Sequence, residues 1–328
     1  MDNKKECVLK KTSIGGQALI EGVMMRGPER TAMAVRHISG EIRFDSWENP
    51  TTKLTFLTKL PLVRGVVNFI FSMIYGYKCL MRSVEMSGME EELEDAMAEN
   101  PEEGQAPAEK TEKTKKKAEA LMNVTMVVGM VLGVALSLIL FMWLPIQLFK
   151  WLSTAVPALD NRAIRGIFEG VVRIVIFLGY MLAVSRMKDI RRTFMYHGAE
   201  HKSIFCYEKG LPLTVENVRQ QSRFHPRCGT SFMVLMLLVG IIISILIPIA
   251  HPVLRTAVKL LLLPLTVGIG YELIKLAGRC DNWFTRFISA PGVWMQHLTT
   301  VEPEDDMIEC AIMALEAVIP ADPEADKW

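Results

Sequence analysis

The amino-acid sequence predicts a mainly α-helical, polytopic membrane protein with about four transmembrane helices and a small cytoplasmic portion. Three observations predict this fold class. Half of the 328 residues are hydrophobic, a higher share of apolar positions than a soluble chain needs for its core. Four apolar segments in the second part of the chain approach the roughly 20 residues that a helix needs to cross a bilayer. Between the second and third of these segments lies a polar stretch that holds three of the six histidines.

The N-terminal segment, residues 1–53, is predicted to be cytoplasmic and rich in glycine. It opens with MDNKKECVLKKT, which has no apolar core of a signal peptide, so we expect the first membrane entry to be internal. The runs TAMAVRH and EIRFDSW are separated by Ile-Ser-Gly, which predicts a β-hairpin. The preceding glycine-rich part has two interpretations. It is either a set of tight turns with Glu21 and Arg26 as a solvated ion pair, or a wall of a functional site.

Residues 54–84 are apolar, but Lys59, Pro61, Arg64 and Lys78 interrupt them. This pattern favours an interfacial or re-entrant helix, and it leaves a tilted transmembrane span open. Residues 85–118 are acidic at first and then basic, with almost no residues that could form a core. We therefore expect a charged, flexible linker there.

Two pairs of transmembrane helices are predicted, within residues 119–187 and 231–278. In the first pair, Glu169 and Arg173 are one helical turn apart and are expected to pair. Clusters of Lys and Arg precede the first span and follow the second and the fourth. By the positive-inside rule, this bias places both termini and residues 188–230 in the cytoplasm.

The C-terminal tail, residues 279–328, is predicted to contain a short amphipathic helix that packs on the cytoplasmic portion. A helix start lies between Thr300 and Asp306, and the apolar positions that follow recur at helical spacing (Met307, Ile308, Ala311, Ile312, Leu315). His297, which precedes this helix, is interpreted as a loop residue.

Composition excludes two classes of protein. The formal net charge of +1 lacks the basic excess of a nucleic-acid-binding protein. The six cysteines contain no CxxC pair and do not form the framework of a small disulfide-rich domain, so we expect reduced thiols.

The polar stretch, residues 188–230, carries the motifs with chemical meaning. His197 and His201 are four residues apart, which places them on one face of a helix at the spacing by which two imidazoles bind one metal ion. Glu200 completes the order HxxEH, the pattern of inverzincins, in which the glutamate is the general base. The motif is short and therefore weak on its own.

A second motif strengthens the first, because His225 and Cys228 add an imidazole and a thiol at a turn. Zinc accepts both, with four protein ligands in a structural site and three in a catalytic one. A closed site of three histidines and Cys228 would leave Glu200 without a role, whereas an open site with Glu200 beside a water molecule implies hydrolysis. A third option is Cys228 as a nucleophile activated by His225. Cys206 and Glu208 are interpreted as a packing residue and a surface residue.

Long motifs then resemble a known family: GGQALIEGVMMRGP, HGAEHKSIFCYE, SRFHPRCGTSF, GYELIKLAGR and PGVWMQHLTTVEPEDDMIE. Together they are similar to the YqhQ-type family of bacterial integral membrane proteins, a domain of unknown function. The resemblance covers nearly the whole chain apart from the charged linker. It implies a metal-dependent enzyme with His197, Glu200, His201, His225 and Cys228 as the metal-site residues, and it names no substrate.

Two hypotheses follow. In the first, the chain is a membrane enzyme that catalyses hydrolysis, with zinc or a similar divalent ion on His197, His201 and either His225 or Cys228. Glu200 is then the catalytic base, and the bilayer location indicates a lipid-linked or membrane peptide substrate. In the second, the chain is a non-enzymatic scaffold or transporter component with a structural metal. The ionisable residues within the spans (Glu169, Arg173, Glu272) favour transport.

Overall fold

A computed structural model describes residues 11–49, 60–89, 128–249, 251–279 and 282–327, which are mainly α-helical with one small sheet. In chain order the strands are β1 Gly15–Leu19, β2 Gly22–Arg26, β3 Arg30–Arg36 and β4 Ile42–Glu48. The helices are α1 Val63–Ser87, α2 Val128–Ala155, α3 Arg162–Val184, α4 Lys188–Glu208, α5 Val215–Arg219, α6 Gly229–Leu246, α7 Pro252–Leu261, α8 Leu263–Arg279, α9 Trp283–Thr299 and α10 Asp305–Glu316. Most of the linker predicted for residues 85–118 lies outside the described residues.

The chain divides into two compact units. One consists of Met1–Glu90, Gly179–Val239 and Leu263–Trp328, and the other of Glu91–Leu178 and Gly240–Leu262. The first unit contains the sheet and all residues predicted for the metal site. The second contains most of the first two predicted spans.

The four strands form one antiparallel sheet in the order β1-β2-β3-β4. The predicted hairpin is confirmed as β3 and β4, which pair from Arg30↔Glu48 to Arg36↔Ile42. The interpretation of the preceding part as a set of tight turns is wrong, because this part forms β1 and β2. Glu21 lies in the turn between them at a φ of 52°. Its carboxylate binds Arg192, with both distances 2.5 Å, and not Arg26 as the turn interpretation assumed.

The two central strands, β2 and β3, are buried on both faces of the sheet, which explains why β2 gave no strand signal. One face packs on α4 and α10, and the other packs on α1. A strand that is apolar on both faces lacks the alternation of apolar and polar residues that marks a strand with one face in water. Met24 and Met25, for example, are adjacent in sequence, face opposite sides of the sheet and are both buried.

Three helices of the described residues are long and apolar enough to cross a membrane: α2, α3 and α6, with 28, 23 and 18 residues. The helices α7 and α8 meet at an angle of 46° and would add a fourth span if the pair crosses as one. The predicted mainly α-helical fold with three to four membrane-length helices is thereby confirmed. Within the described residues, α1 does not belong to this set, and its position at an interface stays a prediction.

In the second unit, one carboxylate binds three cations. Glu169 on α3 is fully buried and lies 3.0 Å from Arg173, which confirms the predicted pair. It also binds Arg255 at 3.1 Å and Lys259 at 2.6 Å, both from α7. The sequence gives no sign of this wider cluster, because Arg255 and Lys259 are distant in the chain. All three cations are nearly buried, so they depend on Glu169 for their compensating charge.

The predicted C-terminal helix is confirmed as α10. Met307, Ile308, Ala311 and Leu315 are fully buried against α4 and β2. The preceding helix, α9, was not predicted, and the interpretation of His297 as a loop residue is wrong because it lies in the last turn of α9. Pro291 lies inside this helix, where a proline normally indicates a break.

The cluster around Glu169 supports a stability prediction. Glu169→Gln leaves three buried cations without an anion, so we expect a loss of ~3 to 5 kcal/mol of unfolding free energy. The control is Asp160→Asn, because Asp160 pairs with Arg165 but is 57% exposed, and such pairs contribute about 1 kcal/mol or less. Melting temperatures in detergent compare the two variants. Equal melting temperatures would show that the cluster is not a stabilising element.

Candidate metal site

The helix α4 positions the first two predicted ligands and Glu200. Its C-terminal half is buried beneath the sheet and α10, which fixes the direction of the helix. His197 and His201 lie on one face, as their spacing predicts, with ring centroids 4.4 Å apart. His201 and Glu200 are buried, and His197 is partly buried.

Three potential ligands converge at this face of α4. The ligand atoms of His197, His201 and Cys228 all lie within 4.8 Å of one another. The closest pair is Nε2 of His197 and Sγ of Cys228, at 3.2 Å. Two imidazole nitrogens and one thiolate form a ligand set that zinc accepts, and three protein ligands are the number found in catalytic zinc sites.

Backbone carbonyl groups orient both imidazoles. Nδ1 of His197 lies 2.8 Å from the carbonyl oxygen of Thr299, and Nδ1 of His201 lies 2.6 Å from that of Arg223. A carbonyl accepts only, so each Nδ1 must carry a proton, and in the neutral form that binds a metal each imidazole would direct the lone pair of Nε2 toward the site. Metal-binding histidines typically have such a partner on the second nitrogen. The donor set therefore fits a divalent metal both in the spacing of its residues and in the hydrogen bonds that orient the two imidazoles.

Cys228 precedes the first residue of α6, and its thiol accepts a hydrogen bond from the backbone N–H of Thr230 at 3.4 Å. Burial alone would raise the pKa of this thiol, but the positive charge of His197 and His201 lowers the pKa well below its ordinary value. Burial opposes a charge on His197, yet the neighbouring Cys228 raises the pKa of that imidazole to about 9. Without a metal, the two residues therefore form a thiolate–imidazolium pair near neutral pH.

Glu200 lies against β1. A Cβ at Gly16 would be 2.8 Å from Cγ of Glu200, and the backbone N–H of Gly16 donates to its carboxylate. Burial raises the pKa of Glu200, and the charges of His197 and His201 offset only part of this rise. The glycine-rich segment thus forms a wall beside Glu200. This arrangement corresponds to the second interpretation of the segment, as a wall of a functional site.

His225 lies beside the other ligands but bonds elsewhere. Its Nε2 is 3.6 Å from Glu208, and its Nδ1 accepts from the backbone of Arg227 at 3.3 Å.

The interpretation of Glu208 as a surface residue is wrong: it is 3% exposed, pairs with Arg227 and accepts from the backbone N–H of Thr12 at 2.9 Å. Cys228 is adjacent to His197, so the pair of Cys228 and His225 considered from the sequence is not formed. Cys206 is buried in the core, in agreement with its interpretation as a packing residue.

Sequence reasoning missed the residues of α9 that support the site. Oε1 of Gln296 accepts from the backbone N–H of His225, and its Nε2 donates to the carbonyl oxygen of the same residue, both at 2.7 Å. Gln296 thereby fixes the turn that carries Cys228. Neither glutamine nor threonine is a residue type that indicates a metal site, and the group that Thr299 contributes is a backbone carbonyl. No pattern in the sequence would therefore identify Gln296 or Thr299.

The site opens into a cavity of about 480 Å³. Its walls are β1, α4 and the turn before α6, and the side chains of His197, Glu200, His201, His225 and Cys228 all line it. Glu200 is the one carboxylate among the described residues of this lining.

Comparison with known proteins identifies the family. The family described as "Protein of unknown function (DUF1385)" matches residues 60–321, which is well over half of the chain. The chain belongs to this family. A relative, "Uncharacterized protein YqhQ" of Bacillus subtilis (strain 168), is 35% identical over 303 residues, which cover 91% of this chain and 89% of the relative. No solved structure matches the chain. The resemblance to YqhQ-type proteins is thus confirmed, and the DUF1385 match contains every predicted site residue.

The contact between Gly16 and Glu200 supports a prediction about the stability of this DUF1385 protein. Gly16→Ala places a Cβ 2.8 Å from both Glu200 and the carbonyl oxygen of Met24, so we expect a loss of ~1 to 3 kcal/mol of unfolding free energy. Gly15→Ala is the matched control, because a Cβ there meets nothing within 4 Å. Thermal melting of both variants is the measurement. A Gly16→Ala variant as stable as Gly15→Ala would contradict the close packing.

A second prediction concerns thiol reactivity. With limiting iodoacetamide near neutral pH, Cys228 should be the first of the four cysteines in the described residues to be alkylated in metal-free protein, because its lowered pKa makes it a thiolate. Burial raises the pKa of Cys310 to about 11 and also raises that of Cys79 and Cys206, so these thiols stay protonated at neutral pH. Peptide mass spectrometry gives the order of labelling, and Cys310 should begin to react only as the pH approaches 11. Labelling of Cys206 ahead of Cys228 would refute the charge pairing.

Proposed function

We propose that this DUF1385 protein is an integral membrane, metal-dependent hydrolase with its site at the cytoplasmic membrane surface. The observation that carries this proposal is the arrangement of His197, His201 and Cys228, with both histidine Nδ1 atoms bonded to backbone carbonyls. Zinc is the ion that this mixed nitrogen and sulfur set favours. An ion held by these three residues would keep one coordination position for water or substrate, and all three residues line the cavity through which a substrate would enter.

The residues of the cavity then have separate roles. Zinc in such a site lowers the pKa of a water molecule and polarises a carbonyl group. Glu200 is close to both histidines, and a carboxyl group of raised pKa can take a proton from water and give it to a leaving group near neutral pH. His225, Glu208 and Arg227 hold the wall of the cavity in place. Gln296 fixes the turn that presents Cys228.

The exposed surface of α9 supports a location at the membrane surface. Trp283, Phe287 and Trp294 are 78%, 72% and 58% exposed, and their spacing places them on one face of α9. Gln296 and Thr299, which support the site, are buried. Aromatic side chains of this kind are enriched at the boundary between lipid and water. With both termini cytoplasmic, as the distribution of Lys and Arg predicts, the site would face a lipid-linked or membrane peptide substrate.

A second candidate function is a non-enzymatic scaffold or transporter component with a structural metal. The cluster of Glu169, Arg173, Arg255 and Lys259 favours it, because buried ionisable residues in membrane-length helices are typical of ion and substrate pathways. Under this function Glu200 would have no chemical role, and its replacement by glutamine would be silent.

Metal content tests the proposal. Protein purified in detergent without chelators should contain about one zinc equivalent per chain, since three ligands bind one ion. His197→Ala, His201→Ala and Cys228→Ala should lose it, whereas Glu200→Gln should keep it because Glu200 is not a ligand. His225→Gln should also keep it, which separates Cys228 from His225 as the third ligand. Elemental mass spectrometry is the measurement, and wild-type protein without stoichiometric metal would refute the metal site.

A further inference from the structure

The strand β1 has an unpaired edge. It is the first strand in the order β1-β2-β3-β4, and within the described residues no strand pairs with its other side. An unpaired strand edge presents backbone N–H and C=O groups that can pair with a further extended chain.

The register of the sheet shows which groups face this edge. β1 and β2 are joined by the two-residue turn of Ile20 and Glu21, and Leu19 pairs with Gly22. Leu19 therefore exchanges hydrogen bonds with β2, as does Gln17 two residues earlier. Because the pattern alternates in antiparallel pairs, Gly16 and Ala18 direct their backbone groups to the unpaired edge.

This edge lies in the wall of the candidate site. Gly15, Gly16, Gln17 and Ala18 line the same cavity as His197 and Glu200. A Cβ at Gly16 would lie 2.8 Å from Cγ of Glu200, which places the edge directly beside the proposed base. At the far end, the N–H of Ile20 donates to the hydroxyl of Ser83 at 3.3 Å.

Ala18 lies between these two contacts. It is partly exposed, and in the part of the chain that the structure describes its backbone groups have no partner on this side. Ala18 and Gly16 are two residues apart, which corresponds to about 7 Å along a strand. A chain that pairs with Ala18 therefore reaches Glu200 within two of its own residues.

We propose that the substrate is a polypeptide that binds in extended conformation as an added strand on β1. This inference rests on the proposed hydrolase function. Backbone pairing provides affinity for any extended peptide, whereas the acyl chain of a lipid-linked substrate has no amide groups to pair with Ala18. The small residues Gly15, Gly16 and Ala18 leave the edge accessible to another backbone.

The reaction is hydrolysis of a peptide bond. Water adds its oxygen to the carbonyl carbon, and the carbon–nitrogen bond breaks. Glu200 takes a proton from the water and gives it to the leaving nitrogen, so the products are a carboxylic acid and an amine. Pairing with Ala18 holds the peptide extended so that one carbonyl lies beside His197, His201 and Cys228.

Binding of peptide hydroxamates tests the inference without requiring turnover. The probe is a fluorescein-labelled tetra-alanine hydroxamate, whose hydroxamate binds zinc and whose amides are free to pair with β1. Its affinity for full-length, zinc-loaded protein in detergent is measured by fluorescence anisotropy, and acetohydroxamate is the reference without a peptide. A series of probes with one N-methyl group at each amide then removes the donors one at a time.

An added strand predicts an alternating result, because successive amides point in opposite directions. N-methylation should weaken binding about tenfold at amides that face β1, the effect of losing one good hydrogen bond, and have little effect at the amides between them. Ala18→Pro should reduce the affinity of the unmethylated probe by a similar factor. It removes an N–H at an edge position where proline is tolerated, so zinc content and acetohydroxamate binding should stay unchanged.

Two results would overturn the inference while leaving the hydrolase intact. One is a peptide probe that binds no better than acetohydroxamate, and the other is a series in which every N-methyl group has the same effect. The methylated series is read on the wild-type protein and does not depend on the folding of Ala18→Pro. Absence of zinc and of all hydroxamate binding would instead overturn the proposed function.

Discussion

The hydrogen bonds from Nδ1 of His197 and His201 to backbone carbonyls constrain the whole candidate site. They hold a proton on each Nδ1, and Nε2 of His197 lies 3.2 Å from Sγ of Cys228. One carbonyl belongs to Thr299 at the end of α9, so the site depends on a helix about 100 residues away in the chain. Gln296 of the same helix holds the turn before Cys228. The motif on α4 supplies the chemistry, and α9 supplies its geometry.

The N-terminal sheet completes the site from the opposite side. One face of the sheet packs on α4 and α10, which brings β1 beside Glu200. The residue of β1 at this contact is Gly16, where a side chain would clash with Glu200. Burial of Glu200 raises its pKa, and burial of Glu208 is compensated by Arg227. The two glutamates of α4 therefore differ in charge compensation: Glu208 forms an ion pair with Arg227, whereas burial leaves Glu200 with a raised pKa.

The sequence predicts those features that rest on local spacing. The common face of His197 and His201, the pair of Glu169 and Arg173 and the buried side of α10 all follow from helical periodicity. Other features depend on tertiary contacts that leave no local pattern. β2 is apolar on both faces and shows no alternation, β1 begins with two glycines, which are depleted in strands, and Pro291 conceals the continuity of α9. The partner of His225 could not be predicted, because the burial of Glu208 results from the distant contacts of Thr12 and Arg227.

The distance in sequence between His197 and Thr299 has a consequence for biosynthesis. At about 5 to 20 residues per second, translation of the intervening residues takes roughly 5 to 20 seconds. For most of that interval the nascent chain contains both histidines and Cys228, while the carbonyl group that orients His197 has not been made. Maturation of the centre is therefore a post-translational event that only a nearly complete chain can undergo. Chains that terminate before α9 would carry every ligand and still lack an ordered site, which makes them substrates for quality control.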